Sequence, residues 1–421
     1  MISKQKNELI LVGALNLMVI LVLLKPGLLS LTLPVLLFST VIAFIHKNRF
    51  FSDLMRNRFW VLSLILPIIY VIGSFKTTNT DKAWFEIIQK LSIPLIGFLM
   101  IWPISDFPRF FRNMRKYYLM AVSISVLISL IISTTLFLKT HSYDAFLYKS
   151  FSGSNHPAYY AMFLSMAYII AIENILKPDF FIYSPAIRIL FLLIPVLGIL
   201  LLASKSGLIT IIVLTFYYGI RFTFGKLNHI KKKGLIKLAF WAFLFSFSFA
   251  ILKSDRFYVA SLGLRQIHDK PLEDIGTAGQ RILIWESVLE ITGKNLITGT
   301  GVGNDQIILN EKYREKHLTS FYEKSLNAHN QFLQALLVLG LFGLVFFVIY
   351  LGYPIVAAWK TNNPYLLGFG VIVIFNALTE SILNRQAGVI FWTLWAFVLL
   401  AGPKDPTRKD NLTLKENSAS E

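Results

Sequence analysis

Apolar runs of about 20 residues, separated by short polar connectors, repeat along most of this 421-residue chain. A run of that length is long enough to cross the hydrocarbon core of a membrane as one helix. The pattern therefore predicts an all-α polytopic membrane protein with about twelve transmembrane helices. The predicted spans lie near residues 9–25, 28–46, 60–75, 91–105, 117–138, 158–175, 186–203, 207–220, 236–252, 331–357, 364–382 and 387–402.

One long segment interrupts this pattern. Residues 253–327 are polar, and we expect them to form a large loop that contains short helices. The chain then divides into residues 1–252 with spans one to nine, this insert, residues 328–403 with spans ten to twelve, and a polar tail at 404–421. A polar insert of this size is where a membrane protein would carry out aqueous chemistry.

The composition agrees with a membrane protein. Hydrophobic residues make up 55% of the chain and charged residues 15%, against about 25% charged residues in an ordinary soluble domain. The mean hydropathy is +0.61. The chain has no cysteine, which excludes disulfides, thiolate metal sites and a cysteine nucleophile.

The net charge of +18 predicts a topology rather than a nucleic-acid partner. Lys and Arg are concentrated in the connectors that follow even-numbered spans, as around Arg49, Arg109 and Lys231. Because positive loops stay in the cytoplasm, both termini are predicted to be cytoplasmic. The insert at 253–327 then lies on the outer side of the membrane, and its ten Lys/Arg and ten Asp/Glu balance each other.

In this topology several unusual polar residues gather at the outer face of the membrane. Ionisable groups at membrane depth are costly, so they usually line a cavity that serves a substrate. Basic side chains could hold a diphosphate there, and a histidine could accept a hydroxyl proton near neutral pH. The candidate site residues are Lys205, His156, Arg281, Trp285, His329, Asn330, Glu380 and Arg385.

Local structural roles are alternatives for four of these residues. Lys205 could end a span as a snorkelling lysine, and His156 before a proline could cap a helix. Trp285 could be an interfacial anchor, and His329, next to a capping Asn327, could satisfy groups at a helix end.

Simple ion pairing is the alternative for the charged residues. Arg281 could pair with Glu286 or Glu290 on an amphipathic helix, and Glu380 could pair only with Arg385.

The glycine-rich string TGTGVGN near residue 300 does not predict a nucleotide site. It lacks the Lys-Ser/Thr of a P-loop, and a turn with positive φ at its glycines explains it. The outer face also has no acidic cluster of the DxD kind. We therefore expect no metal ion and no cofactor.

The same residues resemble a known family. The strings GQRILIWESVLEITGKNLITGTGVGN and NAHNQFLQALLVLGLFGLVFFV are similar to the signature region of the O-antigen ligase and O-antigen polymerase superfamily. ASKSGLITII and SGSNHPAYYA extend the resemblance to roughly residues 150–400. It implies a GT-C-like glycosyltransferase of the bacterial inner membrane that takes a glycan from undecaprenyl diphosphate, without a metal or a nucleotide sugar.

The resemblance also implies roles for individual residues. Arg281 would bind the diphosphate, and His329 would activate the acceptor hydroxyl or help to position the diphosphate. Lys205 stands where the family usually has arginine, which keeps the positive charge but loses the planar fork. His156, Asn330 and Glu380 are carried over as substrate-binding positions.

Membership of this superfamily leaves several functions open. A ligase would use lipid A–core as acceptor, a polymerase another carrier-linked glycan, and a protein O-oligosaccharyltransferase a protein hydroxyl. Twelve spans and one long loop favour the ligase. The alternative from another class is a polytopic transporter of lipid-linked glycans, which the absence of internal repeats disfavours.

Overall fold

The computed structural model describes residues 4–25, 32–46, 57–104, 106–176, 184–224 and 277–401, with isolated residues between 234 and 253. All regular elements in these ranges are helices. They are α1 (Lys4–Leu24), α2 (Leu33–His46), α3 (Arg58–Ser74), α4 (Thr80–Ile101), α5 (Phe107–Thr140), α6 (Tyr148–Ser152), α7 (Pro157–Leu176), α8 (Pro185–Leu202), α9 (Lys205–Phe224), α10 (Thr277–Lys294), α11 (Asp305–Glu315), α12 (Thr319–Glu323), α13 (Gln331–Thr361), α14 (Pro364–Ala377) and α15 (Gln386–Leu400), with short 3₁₀ turns at Tyr143–Phe146 and Ile382–Asn384.

The all-helical prediction is confirmed for the described part of the chain. Within it, seven helices are long and apolar enough to cross a membrane, and further apolar helices are shorter. Helices cover eleven of the twelve predicted spans. The ninth span, near 236–252, lies mostly outside the described residues, as does the tail at 404–421.

The predicted start of the fourth span was wrong. Sequence reasoning placed it at residue 91 and assigned the preceding EIIQK to a polar connector. The helix α4 instead begins at Thr80, because Asn79 caps it by accepting a hydrogen bond from the backbone N–H of Lys82 at 3.2 Å. The charged Glu86 and Lys90 therefore lie inside an apolar helix.

Small polar groups are buried between the helices beside a large apolar core, and many large apolar side chains point outwards, as expected for a bundle surrounded by lipid. Large apolar side chains point outwards along the spans, for example Ile72 in α3, Ile131 in α5 and Phe342 in α13. Serines and other small polar residues are buried between helices, and Tyr118 of α5 donates to the carbonyl of Phe163 in α7 at 2.9 Å. Without a hydrophobic driving force in lipid, such close packing and hydrogen bonds hold the helices together.

The described part of the insert has a small hydrophobic core of its own. It joins α10, α11 and α12 to the start of α13. The members of this core include Ile284, Val288, Leu309, Tyr313, Phe321, Ala328 and Leu337. The prediction of short helices in this loop is confirmed for residues 277–327.

The glycine string joins the insert to a kink in α13. Gly340 has a φ of +69°, and a straight helix would pair Leu341 N–H with Leu337 C=O. Here Leu341 N–H donates instead to Leu296 C=O at 2.8 Å, and Leu337 C=O accepts from Thr300 N–H at 2.8 Å. The turn thus satisfies both backbone groups that the kink releases.

Positive φ values at Gly299, Gly301 and Gly303 confirm that this string is a turn. A Cβ at Gly299 would lie 2.5 Å from the carbonyl oxygen of Val338, so only glycine permits this close approach.

Candidate functional site

The candidate site lies at one end of the bundle, where several helices begin or end together. His329 precedes α13, Lys205 begins α9 and His156 precedes α7. Glu380 follows the end of α14. The segment from Thr379 to Arg385, here called the site turn, connects α14 to α15 and contains the 3₁₀ turn Ile382–Asn384.

His329 is held in an unusual backbone conformation directly before α13. Its φ is +44°, in the left-handed region that only a small fraction of non-glycine residues adopt. The Asn327 side chain accepts from the His329 N–H at 3.0 Å. Strain of this kind concentrates at functional sites, where neighbouring interactions maintain it.

Asn330 is the N-cap of α13, so the local alternative that gave this role to Asn327 was wrong. The Asn330 Oδ1 accepts from Phe332 N–H at 2.9 Å and from Leu333 N–H at 3.1 Å. Its Nδ2 donates to Leu378 C=O at 3.2 Å. One asparagine therefore caps the helix after His329 and ties it to the end of α14.

Glu380 occupies the centre of the site. Its side chain is almost entirely buried. Oε1 accepts from Nη2 of Arg281 at 2.5 Å, and Oε2 lies 3.2 Å from Nδ1 of His329. The two oxygens of one carboxylate thus bring together the insert, the start of α13 and the site turn.

The pairing alternatives proposed for the charged residues do not hold in this structure. Arg281 pairs with Glu380, whereas Glu290 pairs with Lys312 at 2.9 Å and Lys316 at 2.5 Å.

The environment of Glu380 favours its charged form. Burial raises the pKa of this carboxyl, but the hydrogen bond with His329 and the charge of Arg281 outweigh burial. The pKa of Glu380 is therefore lowered from its ordinary value of 4.5. At neutral pH the group between Arg281 and His329 is a carboxylate.

Helix α10 presents two of the predicted residues on one face. Arg281 and Trp285 are four positions apart, so they lie one above the other. The indole N–H of Trp285 donates to the carbonyl of Ala328 at 3.1 Å, the residue before His329. Trp285 therefore ties α10 to the segment that carries the histidine.

Lys205 reaches the same helix. Its Nζ donates to Oγ1 of Thr277 at 3.0 Å, and Thr277 lies one helical turn before Arg281. The ammonium group of Lys205 therefore lies beside the start of the helix that carries the site arginine.

His156 lies within electrostatic range of the other charges. Burial lowers the pKa of His156, the charge of Glu380 opposes this, and Arg281, His329 and Arg385 lower it further. The surface of this ring is nevertheless accessible to solvent. His156 is therefore exposed to solvent and close to the charged groups of the site.

His156 also has the local role that its sequence suggested. Its Nδ1 accepts from Ala158 N–H at 3.4 Å, in the first turn of α7. Capping therefore accounts for one of its two ring nitrogens.

All eight predicted residues lie at this end of the bundle. Five of them are linked by hydrogen bonds. Arg281 and His329 both contact Glu380. Trp285 contacts the residue before His329, and Asn330, the residue after His329, contacts the end of α14. The roles assigned to the eight remain predictions.

Sequence reasoning missed Lys90 and Gln331. Lys90 donates to the Leu383 carbonyl at 2.6 Å, and Gln331 accepts from the Leu383 N–H at 2.7 Å. Both side chains are fully buried. A charged residue inside an apolar helix was the available signal for Lys90, but the misplaced start of the fourth span hid it.

The fold and the site together describe a helical membrane protein with a buried carboxylate between an arginine and a histidine at one end of its bundle. Residues 190–348 of the chain match the O-antigen ligase family. The chain thus carries a domain of this family over those residues, and the resemblance found in its motifs is confirmed. The matched segment is less than half of the chain; it includes Lys205, Arg281 and His329, while Glu380 lies beyond it. The curated proteins include no match to this chain.

Proposed function

We propose that this protein is an O-antigen ligase-like glycosyltransferase. It moves a glycan from undecaprenyl diphosphate to a sugar hydroxyl of lipid A–core, in lipopolysaccharide biosynthesis. The observation that carries the proposal is that one carboxylate, Glu380, joins Arg281 and His329. Two of these three residues lie in the segment that matches the O-antigen ligase family.

In this proposal His329 is the general base. With its proton on Nδ1, the ring donates to Oε2 of Glu380, and Nε2 keeps its lone pair for the acceptor hydroxyl. The carboxylate fixes this tautomer and stabilises the imidazolium that forms, as the acid of a catalytic triad does for its histidine. The lowered pKa of Glu380 keeps it ionised for this role.

Arg281 and Lys205 bind the diphosphate. The guanidinium of Arg281 has five N–H donors, and the contact with Glu380 occupies one nitrogen. Within the described residues no other contact of this guanidinium is seen, and we assign its remaining donors to the donor substrate. Lys205, near the start of the same helix, adds a second positive charge that stabilises the leaving diphosphate.

The reaction is a single displacement. The acceptor oxygen attacks the anomeric carbon, and its proton passes to Nε2 of His329. The bond between the anomeric carbon and the diphosphate oxygen breaks, and its electron pair leaves with undecaprenyl diphosphate. Attack from the face opposite the leaving group inverts the anomeric configuration, so retention in the product would contradict this mechanism.

The proposed cellular location and membrane orientation rest on the charge pattern of the chain. Basic connectors after even-numbered spans support an inner-membrane protein with a periplasmic site and both termini in the cytoplasm. A metal-independent enzyme with a GT-C-like arrangement of about twelve helices agrees with this proposal.

Other acceptors define the alternative functions. A polymerase would add the glycan to a second carrier-linked glycan, and a protein O-oligosaccharyltransferase would add it to a protein hydroxyl. A transporter of lipid-linked glycans would need no general base, so the link between His329 and Glu380 favours an enzyme.

The deciding experiment offers the purified protein an undecaprenyl-diphosphate glycan, with lipid A–core in one reaction and only further donor in another. Each reaction is run with and without EDTA. Glycosylated lipid A–core supports the ligase, whereas a ladder of longer carrier-linked glycans supports the polymerase.

Three variants serve as controls. Arg281→Ala and His329→Ala should abolish transfer. Lys139→Met, which changes an exposed lysine at the same end of the bundle, should keep it. Failure of the folded wild-type protein with lipid, glycan and protein acceptors would refute the enzyme. Loss of carrier flipping in His329→Asn, in a reconstituted vesicle assay, would then favour the transporter.

A further inference from the structure

A lysine inside the apolar helix α4 contacts the site turn. Lys90 of α4 is fully buried, with 0% exposure. Its Nζ donates to Leu383 C=O at 2.6 Å, to Oδ1 of Asn384 at 3.0 Å and to Oε1 of Gln89 at 3.0 Å. The ring of Tyr70 lies 5.1 Å from the same ammonium group.

The buried ammonium group of Lys90 needs hydrogen-bond acceptors in place of the water that it lacks. An ammonium group away from water is strongly unfavourable unless its donors are satisfied. The three acceptors match the three N–H donors of Lys90. Two of these three hydrogen-bond acceptors belong to the site turn, so most of the hydrogen bonding of this ammonium group depends on the turn remaining in place.

The peptide groups on both sides of Leu383 are fixed by buried side chains. Lys90 binds the carbonyl of Leu383, and Oε1 of Gln331 accepts from its N–H at 2.7 Å. Gln331 follows His329 by two residues, and it is fully buried as well. One residue of the turn is therefore held by both α4 and the start of α13.

Backbone hydrogen bonds within the site turn link the position of Leu383 to that of Glu380. Ile382 N–H donates to the carbonyl of Glu380 at 3.0 Å, and Asn384 N–H donates to that of Ser381 at 3.0 Å. These short-range bonds make the segment from Glu380 to Asn384 one folded unit. Displacement of Leu383 would therefore move the carboxylate.

We propose that Lys90 is a positioning residue for the site. It anchors the site turn so that Glu380 stays between Arg281 and His329. Lys90 touches no substrate, and it acts through Leu383 and Asn384. The inference rests on the proposed function for its effect on catalysis, while its effect on the turn can be measured without any reaction.

Helix α4 is suited to this role because an ion pair near its beginning also holds it in place. Nζ of Lys82 lies 2.5 Å from Oδ1 of Asp305 in the insert. Oδ2 of Asp305 accepts from Nε2 of Gln334 in α13 at 2.7 Å. The helix that carries Lys90 is thus tied to the insert and to the helix that follows His329.

The test compares Lys90→Met with a matched control, Arg115→Met. Arg115 is also a buried cation in a long apolar helix, α5, and it donates to the Tyr365 hydroxyl at 2.6 Å. Tyr365 lies at the beginning of α14, at the opposite end from Glu380. Arg115→Met therefore removes a buried positive charge without touching the site turn.

Two readouts distinguish positioning from general stability. The first is glycan transfer, with kcat and KM measured separately. The second is the mobility of a spin label on Gln386→Cys, an exposed residue directly after the turn. The chain has no cysteine of its own, so this label reports on one position.

In Lys90→Met we expect a mobile label and a kcat lower by about 10–100-fold, the scale at which small displacements impair catalysis, with KM changed much less. Arg115→Met should leave the label and kcat unchanged. Wild-type label mobility and kcat in a folded Lys90→Met would overturn the proposal, as would equal losses of kcat in both variants at equal melting temperature.

A milder variant covers the case in which Lys90→Met does not fold. Asn384→Ala removes one of the three acceptors of Lys90, and it should raise the label mobility and lower kcat by a smaller factor. An unchanged label and kcat in Asn384→Ala would then count against the proposal. If the wild-type protein transfers no glycan to any acceptor, the proposed function fails, and the label still decides whether Lys90 anchors the turn.

Discussion

Oε2 of Glu380 lies 3.2 Å from Nδ1 of His329, although 51 residues separate them along the chain. The other oxygen of this carboxylate pairs with Arg281 at 2.5 Å. A buried carboxylate that orients a histidine and also holds an arginine is an arrangement suited to general-base chemistry on an anionic substrate.

Replacement of this carboxylate should impair transfer more than binding. Glu380→Gln keeps the shape of the side chain but removes the charge that stabilises an imidazolium at His329. We expect kcat to fall by about 10²-fold, a typical value for general-base catalysis, with a smaller change in KM. Steady-state glycan transfer at saturating acceptor measures this.

Glu290→Gln is the matched control for that variant. Glu290 pairs with Lys312 and Lys316 on the surface of the insert, and its loss should leave kcat at the wild-type value. Full activity in Glu380→Gln would show that the histidine acts without its carboxylate.

The stability that Glu380 contributes should depend on pH in a defined direction. Its pKa in the folded protein is lowered from the ordinary value of 4.5. As the pH falls, the Glu380 carboxylate is therefore protonated in the unfolded chain before it is protonated in the folded protein. The contribution is complete above about pH 4.5 and is lost as the pH falls through the lower pKa of the folded state.

The difference in melting temperature between wild type and Glu380→Gln in detergent should accordingly shrink as the pH falls below about 4.5, the ordinary titration range of a glutamate. A difference that grew as the pH fell further below about 4.5 would contradict the lowered pKa.

The residue at position 205 should tolerate arginine but not an uncharged side chain. Lys205 donates to Thr277, one turn before Arg281, and the resemblance implies that the family usually has an arginine at this position. Lys205→Arg should keep or increase kcat/KM, because a guanidinium can bind a diphosphate through two hydrogen bonds.

Lys205→Met should lower kcat/KM about tenfold, as expected for loss of one charge-assisted contact worth about 1.5 kcal/mol. The exposed Lys139, changed to Met, is the control at the same end of the bundle. If Lys205→Met were as active as wild type, the snorkelling alternative would be correct.

The glycine turn of the insert should not accept alanine at Gly299. Its φ is +68°, and a Cβ there would lie 2.5 Å from the carbonyl oxygen of Val338 beside the kink of α13. We expect Gly299→Ala to destabilise the protein by at least about 1–3 kcal/mol, the range for a strained backbone position. Thermal or denaturant unfolding in detergent measures the loss.

Gly293→Ala provides the comparison within the same insert. Apart from its chain neighbours and the backbone of its own helix, no described atom lies within 4 Å of a Cβ built at Gly293, and alanine is the better helix former by about 1 kcal/mol. This variant should be as stable as wild type or more stable. Equal stability of the two variants would mean that the turn adapts without strain.

The sequence by itself determined the helical membrane architecture and most members of the site. Apolar runs long enough to cross a bilayer are a local signal, and they located eleven of the described helices. The positive φ of the glycine string and the positions of Arg281 and His329 were also readable locally, because they depend on neighbouring residues or on family motifs. The predicted number of twelve spans, the membrane orientation and the residue roles remain predictions.

Only the tertiary structure decided which side chains meet. The sequence allowed Glu380 to pair with Arg385 and Arg281 to pair with Glu286 or Glu290, since all of these are close along the chain. The folded protein pairs Glu380 with Arg281 and His329 instead. Lys90 was hidden for a similar reason: its charge indicated a connector, whereas buried acceptors on the distant site turn allow a charge inside an apolar helix. Ion pairs and hydrogen bonds depend on distance in space, which local sequence patterns do not encode.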